Sequence, residues 1–82
     1  MKKIEYRTRG TCSREIHVTL DDEDRIVSCS FIGGCAGNTA GLSKLVEGMP
    51  AREVIARLKG IPCGLRGTSC PDQLAAALEK NL

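Results

Sequence analysis

Polar and apolar residues alternate from Lys3 to Arg9, with Ile4, Tyr6 and Thr8 on one face and Lys3, Glu5, Arg7 and Arg9 on the other. A period of two marks a half-buried strand, and the charges suit the edge of a sheet. Gly10 ends it. The alternation resumes over residues 15 to 20, where Ile16, Val18 and Leu20 face one way and His17 and Thr19 the other. Asp21-Asp22-Glu23-Asp24 then interrupts the pattern and reads as a hairpin turn. Residues 25 to 32 (Arg-Ile-Val-Ser-Cys-Ser-Phe-Ile) are β-branched and mildly alternating, which assigns Val27, Cys29 and Phe31 to a buried face. The first half is therefore predicted to be a three-stranded antiparallel meander.

The second half changes period. After Gly33-Gly34-Cys35, Ala40, Leu42, Leu45, Val46 and Met49 follow helical spacing, with Gly48 as a stop. Pro50 at a first turn opens a second helix carrying Val54, Ile55 and Leu58, closed by Gly60. Ile61 to Gly67, with Pro62, Gly64 and Gly67, is a constrained loop. A third helix over residues 71 to 81 turns Leu74, Ala77, Leu78 and Leu82 inward and Asp72, Gln73, Glu79 and Lys80 outward. Ser69 or Cys70 caps it, Pro71 falls in its first turn and Asp72 meets the positive end of its dipole. Strands first and helices afterwards make an α+β domain, with three helices packed on one face of the sheet, over residues 1 to 82.

At 82 residues the core is thin, and a ligand, metal or partner would firm it. Tyr6 and Phe31 are the only aromatics, too few for a stacking platform, and a net charge of +2 is too small for a phosphate-backbone footprint. DNA or RNA backbone binding is not expected. No apolar run approaches a membrane span, and Ile-Glu-Tyr-Arg follows the first lysines where a signal peptide would have its apolar core. The expectation is a cytoplasmic protein.

Five cysteines change the picture. The number is odd, so a closed disulfide framework does not account for it, and no CxxC pair occurs. Cys12 lies in the Gly10-Thr11-Cys12-Ser13 loop, Cys35 opens the first helix after two glycines, and Cys70 opens the last. A thiol at a helix start faces unpaired N–H groups and the positive end of the dipole, which favours thiolate, the form that binds metal or attacks a substrate. The starts of both helices and the Cys12 loop are expected at one edge of the sheet, where three thiolates, with Cys63 as a fourth, would converge. Cys29, between Val27 and Phe31, reads instead as a small buried hydrophobe. His17 reads as a surface residue, the acidic run lacks the spaced ligands of a calcium loop, and Arg7, Arg9, Arg14 and Arg66 form at most a basic rim.

The run Thr68-Ser69-Cys70-Pro71-Asp72-Gln73-Leu74-Ala75 resembles the signature of the TSCPD-domain family, and the likeness extends over nearly the whole chain. In that family the domain also stands at the C-terminal end of ribonucleotide reductases. The resemblance implies an association with ribonucleotide reduction and a ribonucleoside-diphosphate reductase label, although 82 residues cannot build the catalytic barrel of such an enzyme. The order of elements also resembles the NifU-like iron–sulfur scaffold proteins. That likeness implies Cys12, Cys35 and Cys70 as ligands of zinc or a cluster. Ser13 and Arg14 stand where the scaffolds have an Asp, and Ser69 where a His is common, so Cys63 would supply the fourth ligand. Thr68, Ser69 and the N–H groups at the helix starts, Gly34 included, would donate hydrogen bonds to sulfur.

Three functions follow. The first is a metal-binding accessory module, with zinc or an iron–sulfur cluster on Cys12, Cys35, Cys63 and Cys70, acting with a ribonucleotide reductase. The second is a thiol redox protein cycling Cys35 and Cys70 and donating electrons to a reductase. The third is nucleotide or anion binding at the helix starts, through Gly33-Gly34 and Thr68-Ser69.

Overall fold

In a computed structural model, which describes residues 1–9, 13–33, 36–61 and 68–82, the alternating first half forms strands β1 (Lys2–Arg7), β2 (Ser13–Leu20) and β3 (Ile26–Gly33). They pair in the order β1-β2-β3, antiparallel throughout, with Ile4 opposite Val18 and Val18 opposite Cys29. Ile4, Ile16, Val18 and Leu20 are buried as the period of two requires.

The third strand departs from its predicted face. Thr19 faces Ser28 but Leu20 faces Ile26, so the register slips by one residue and Val27 is extra. A bulge of this kind reverses the alternation on one side of it. Ile26 is buried and Val27 is 42% exposed, whereas Cys29 and Phe31, beyond the bulge, keep the inward side. The acidic run is the predicted turn. The Asp21 carboxylate accepts from the N–H groups of Glu23 and Arg25, both at 2.9 Å, and Asp24 takes a positive φ of 58°.

Helices α1 (Ala36–Val46), α2 (Ala51–Leu58) and α3 (Cys70–Lys80) follow. They cover one face of the sheet, α1 over β3 and α3 over β1 and β2, with α2 packed on α3. The predicted stripe of α1 is corrected. Thr39, Ser43 and Val46 are buried and Leu42 half-buried, while Ala40 is exposed and Leu45 is 76% exposed. The helix lies beside Cys29 at the edge of the sheet, where small polar side chains fit and Ser43 returns its hydroxyl to the Thr39 carbonyl at 2.8 Å. Gly48 and Gly60 end α1 and α2 at φ values of +83° and +86°.

In α3, Leu74, Ala75, Ala77 and Leu78 are buried, and Leu74 and Leu78 join the core cluster of Ile16, Leu20, Val54 and Ala51. Two assignments change. Leu82 lies past the helix and is 45% exposed, and Gln73 is buried, for a reason that belongs to the site below. Among the described residues no helix is long and apolar enough to cross a membrane.

Candidate functional site

The start of α3 is built by its own sequence. Ser69 is extended (φ −151°, ψ 172°) and its Oγ accepts from the Asp72 N–H at 3.2 Å, the bond expected of an N-cap. The same hydroxyl donates to the Ile61 carbonyl at 2.5 Å. Pro71 occupies the first turn, where a missing N–H leaves no intrahelical bond unmade.

Asp72 and Gln73 carry the network outward. The Asp72 carboxylate accepts from the Thr68 hydroxyl at 2.5 Å and from the Gly60 N–H at 2.6 Å. Chiefly the Thr68 hydrogen bond, and then that of Gly60, holds its carboxyl below the usual aspartate range. The Gln73 amide bridges two segments. Its Nε2 donates to Thr68 Oγ1 at 3.0 Å, and its Oε1 accepts from the Arg9 N–H at 3.1 Å, 64 residues away. A buried amide needs such partners, which is why Gln73 lies inside and not on the predicted outer face. One chain of bonds thus joins the end of α2, the start of α3 and the end of β1.

The same end of the molecule holds the close of the β1–β2 connection and of β3. Thr8 donates to the Arg14 carbonyl at 3.0 Å, and Ser13 is the register partner of Gly33.

Of the predicted ligands, Cys12, Cys35 and Cys63, with Gly34 beside them, lie outside the described residues. Cys70 is the first residue of α3 and is partly exposed. Among the described residues no three His, Cys, Asp or Glu side chains gather in a way that could hold a metal ion. The residues that frame the predicted ligands are described, and two sets of them adjoin: Ser13 pairs with Gly33, while Arg9, Thr68 and Ile61 are bonded to the start of α3. Arg9 and Ser13 frame Cys12, Gly33 and Ala36 frame Cys35, and Ile61 and Thr68 frame Cys63.

Thr68 and Ser69 were predicted to donate to sulfur. Each hydroxyl proton is instead committed, to Asp72 and to the Ile61 carbonyl. Backbone N–H groups are left for that task. The commitment also removes two donors from an anion at this helix start, where the Asp72 carboxylate already sits. The sequence carried a local sign of this: Ser69 and Asp72 have the Ser-x-x-Asp spacing of a capping box.

Cys29 behaves as predicted. It is buried on the inner face, and burial pushes its thiol up to about 11, opposed by a hydrogen bond from Ser43 and reinforced by the Glu47 charge. At neutral pH it is a thiol, neither ligand nor nucleophile. His17 stands on the outer face, partly exposed, its Nε2 3.6 Å from a Glu15 oxygen. Of the rim arginines, Arg7, Arg9 and Arg14 are exposed, and Arg66 lies outside the described residues.

A family model, the TSCPD domain, matches residues 2–82. No curated protein and no solved structure matches the chain, and the likeness to NifU-like scaffolds is not shown by these comparisons.

Proposed function

The chain belongs to the TSCPD-domain family, and from that premise we propose that it is a small metal-binding module in which Cys12, Cys35, Cys63 and Cys70 hold zinc or an iron–sulfur cluster beside a ribonucleotide reductase. The observation that supports this reading is the set of pairwise links among residues that frame those cysteines. Ser13 pairs with Gly33, Arg9 is bonded to Gln73, Gln73 to Thr68, and Ser69 to Ile61. Cys70 stands among them as the first residue of a capped helix.

The donor set fits the group. Four thiolates suit a closed structural zinc site or a stable cluster, and a metal there would add folding energy to a thin core. Bound metal would fix the geometry of that end. The chain's own Ser69 caps the helix that Cys70 begins.

The test is metal and sulfide analysis of anaerobically purified protein with its ultraviolet–visible spectrum, repeated on Cys70→Ser and Cys29→Ala. Stoichiometric zinc, or iron with sulfide and visible absorption, lost in Cys70→Ser and kept in Cys29→Ala, supports the site. Metal-free, folded wild-type protein refutes it.

A further inference from the structure

The described cations differ in what they face. Lys44, Arg57 and Lys59 lie 3.5, 3.0 and 2.8 Å from carboxylate oxygens of Glu47, Glu53 and Glu79. Lys2 and Arg25 donate to the carbonyls of Asn81 and Gly48. Arg7, Arg9 and Lys80 have no carboxylate in ion-pair reach among the described residues, yet they line one cleft of about 490 Å³ with Glu5 and Tyr6. The cleft lies between the edge strand β1 and the last turn of α3. These elements are tied at both ends, by Lys2 Nζ to the Asn81 carbonyl at 2.7 Å and by the Arg9 N–H to Gln73 Oε1 at 3.1 Å. The cations therefore stand on a fixed frame. Nearby negative groups temper them without cancelling them. Glu5 is in the cleft itself, and Glu15, the register partner of Arg7, has an oxygen 3.6 Å from His17 Nε2. Glu79, next to Lys80 in the chain, is held by Lys59, and Lys80 also answers the negative end of α3.

We propose that this cleft binds the phosphate groups of a small ligand, with the guanidinium forks of Arg7 and Arg9 on phosphate oxygens and Lys80 as a third, point-like charge. Like charges gathered on a fixed frame repel one another, and a bound anion relieves that repulsion. The donor set selects phosphate over a single carboxylate. One carboxylate brings one charge and two oxygens, which one guanidinium already satisfies, whereas a phosphate brings more of both to share between two guanidiniums and an ammonium. The volume is that of a small-molecule cleft, and a chain of net charge +2 has no basic track to carry a polymer backbone beyond it. The site is separate from the start of α3, where Asp72 repels an anion: Lys80 marks the other end of that helix.

Calorimetric titration of the whole chain at low ionic strength tests this, with inorganic pyrophosphate, adenosine 5′-diphosphate and succinate as probes. The variants are Arg7→Gln, Lys80→Gln, Glu5→Gln and, on α2, Arg52→Gln, all at exposed positions where the substitution leaves the fold in place. The expected result is saturable binding of at least one phosphate probe and much weaker binding of succinate. The dissociation constant should rise roughly fivefold or more in Arg7→Gln and in Lys80→Gln, fall roughly twofold in Glu5→Gln, and stay unchanged in Arg52→Gln. Tighter binding of pyrophosphate identifies a free phosphate, and tighter binding of the nucleotide a phosphate ester. Either supports the site. Amide chemical shifts give a second readout, with the largest changes on saturation expected at residues 5 to 9 and 80. No saturable phosphate binding at millimolar concentration, succinate bound as well as phosphate, or a loss in Arg52→Gln equal to that in Arg7→Gln overturns the proposal.

Discussion

The two ends of the sheet are held by different kinds of bond. At the hairpin end, main chain meets main chain: Asp21 N–H to Arg25, Ile26 to Met49, Gly48 to Ile26 and Ala51 to Asp24, between 2.7 and 3.0 Å. Asp21 is the main side-chain contributor there. At the opposite end the N–H groups of Arg9, Gly60 and Asp72 each donate to a side-chain oxygen, on Gln73, Asp72 and Ser69 in turn. A backbone bond survives most substitutions, whereas a side-chain bond depends on the residue. The hairpin end is therefore defined by chain path, and the cysteine-bearing end by the identity of Thr68, Ser69, Asp72 and Gln73.

Gln73→Leu should show the contrast most strongly. A similar volume without the amide removes its bonds to the Arg9 N–H and to Thr68 at a part-buried site, and the expected loss is about 1–3 kcal/mol in denaturant unfolding. Gly48→Ala tests the other end through its backbone. A Cβ there meets nothing within 4 Å, so the cost is that of the positive φ alone, about 1–2 kcal/mol by the same measurement. Ser69→Ala should cost about 1 kcal/mol through the lost cap, and Asp21→Ala, on an exposed turn, less than that. Asp72→Asn gives the smallest effect and sharpens it by pH. Because the folded carboxyl is held below its ordinary value near 3.8, its contribution is complete above that value and is lost as pH falls through the lowered one. Stability of the wild type and of Asp72→Asn should therefore converge as the pH falls below about 3.8 in acid-titrated thermal melts.

The legible parts of the fold are those whose cause is local. Ile4, Ile16, Val18 and Leu20 follow the period of two because a sheet covered on one face permits nothing else, and Ser69 is recognisable as a cap because its bond spans three residues. Val27 was misassigned because a bulge arises from pairing between strands and leaves no mark in either strand alone. Gln73 was misassigned because its partner is 64 residues away. The buried side of α1 is not legible in the sequence, since Thr39 and Ser43 are polar and the apolar stripe runs through the exposed Leu45. Cys29 was separable from the other cysteines by its apolar strand neighbours, and Cys70 by its place at a helix start. That Ser13 pairs with Gly33, and that Arg9, Thr68 and Ile61 bond to the start of α3, depends on contacts no spacing rule contains.

The hydrogen bond from Arg9 to Gln73 also has a bearing on the order in which the molecule assembles. The meander closes through short connections, while α3 must return across almost the whole chain to reach β1, the step with the largest loop-closure entropy. Contacts of large sequence separation slow the approach to the native state. The end of the molecule built by Thr68, Ser69, Asp72 and Gln73 is thus the one whose assembly carries a long-range closure cost, through the bond from Arg9 to Gln73.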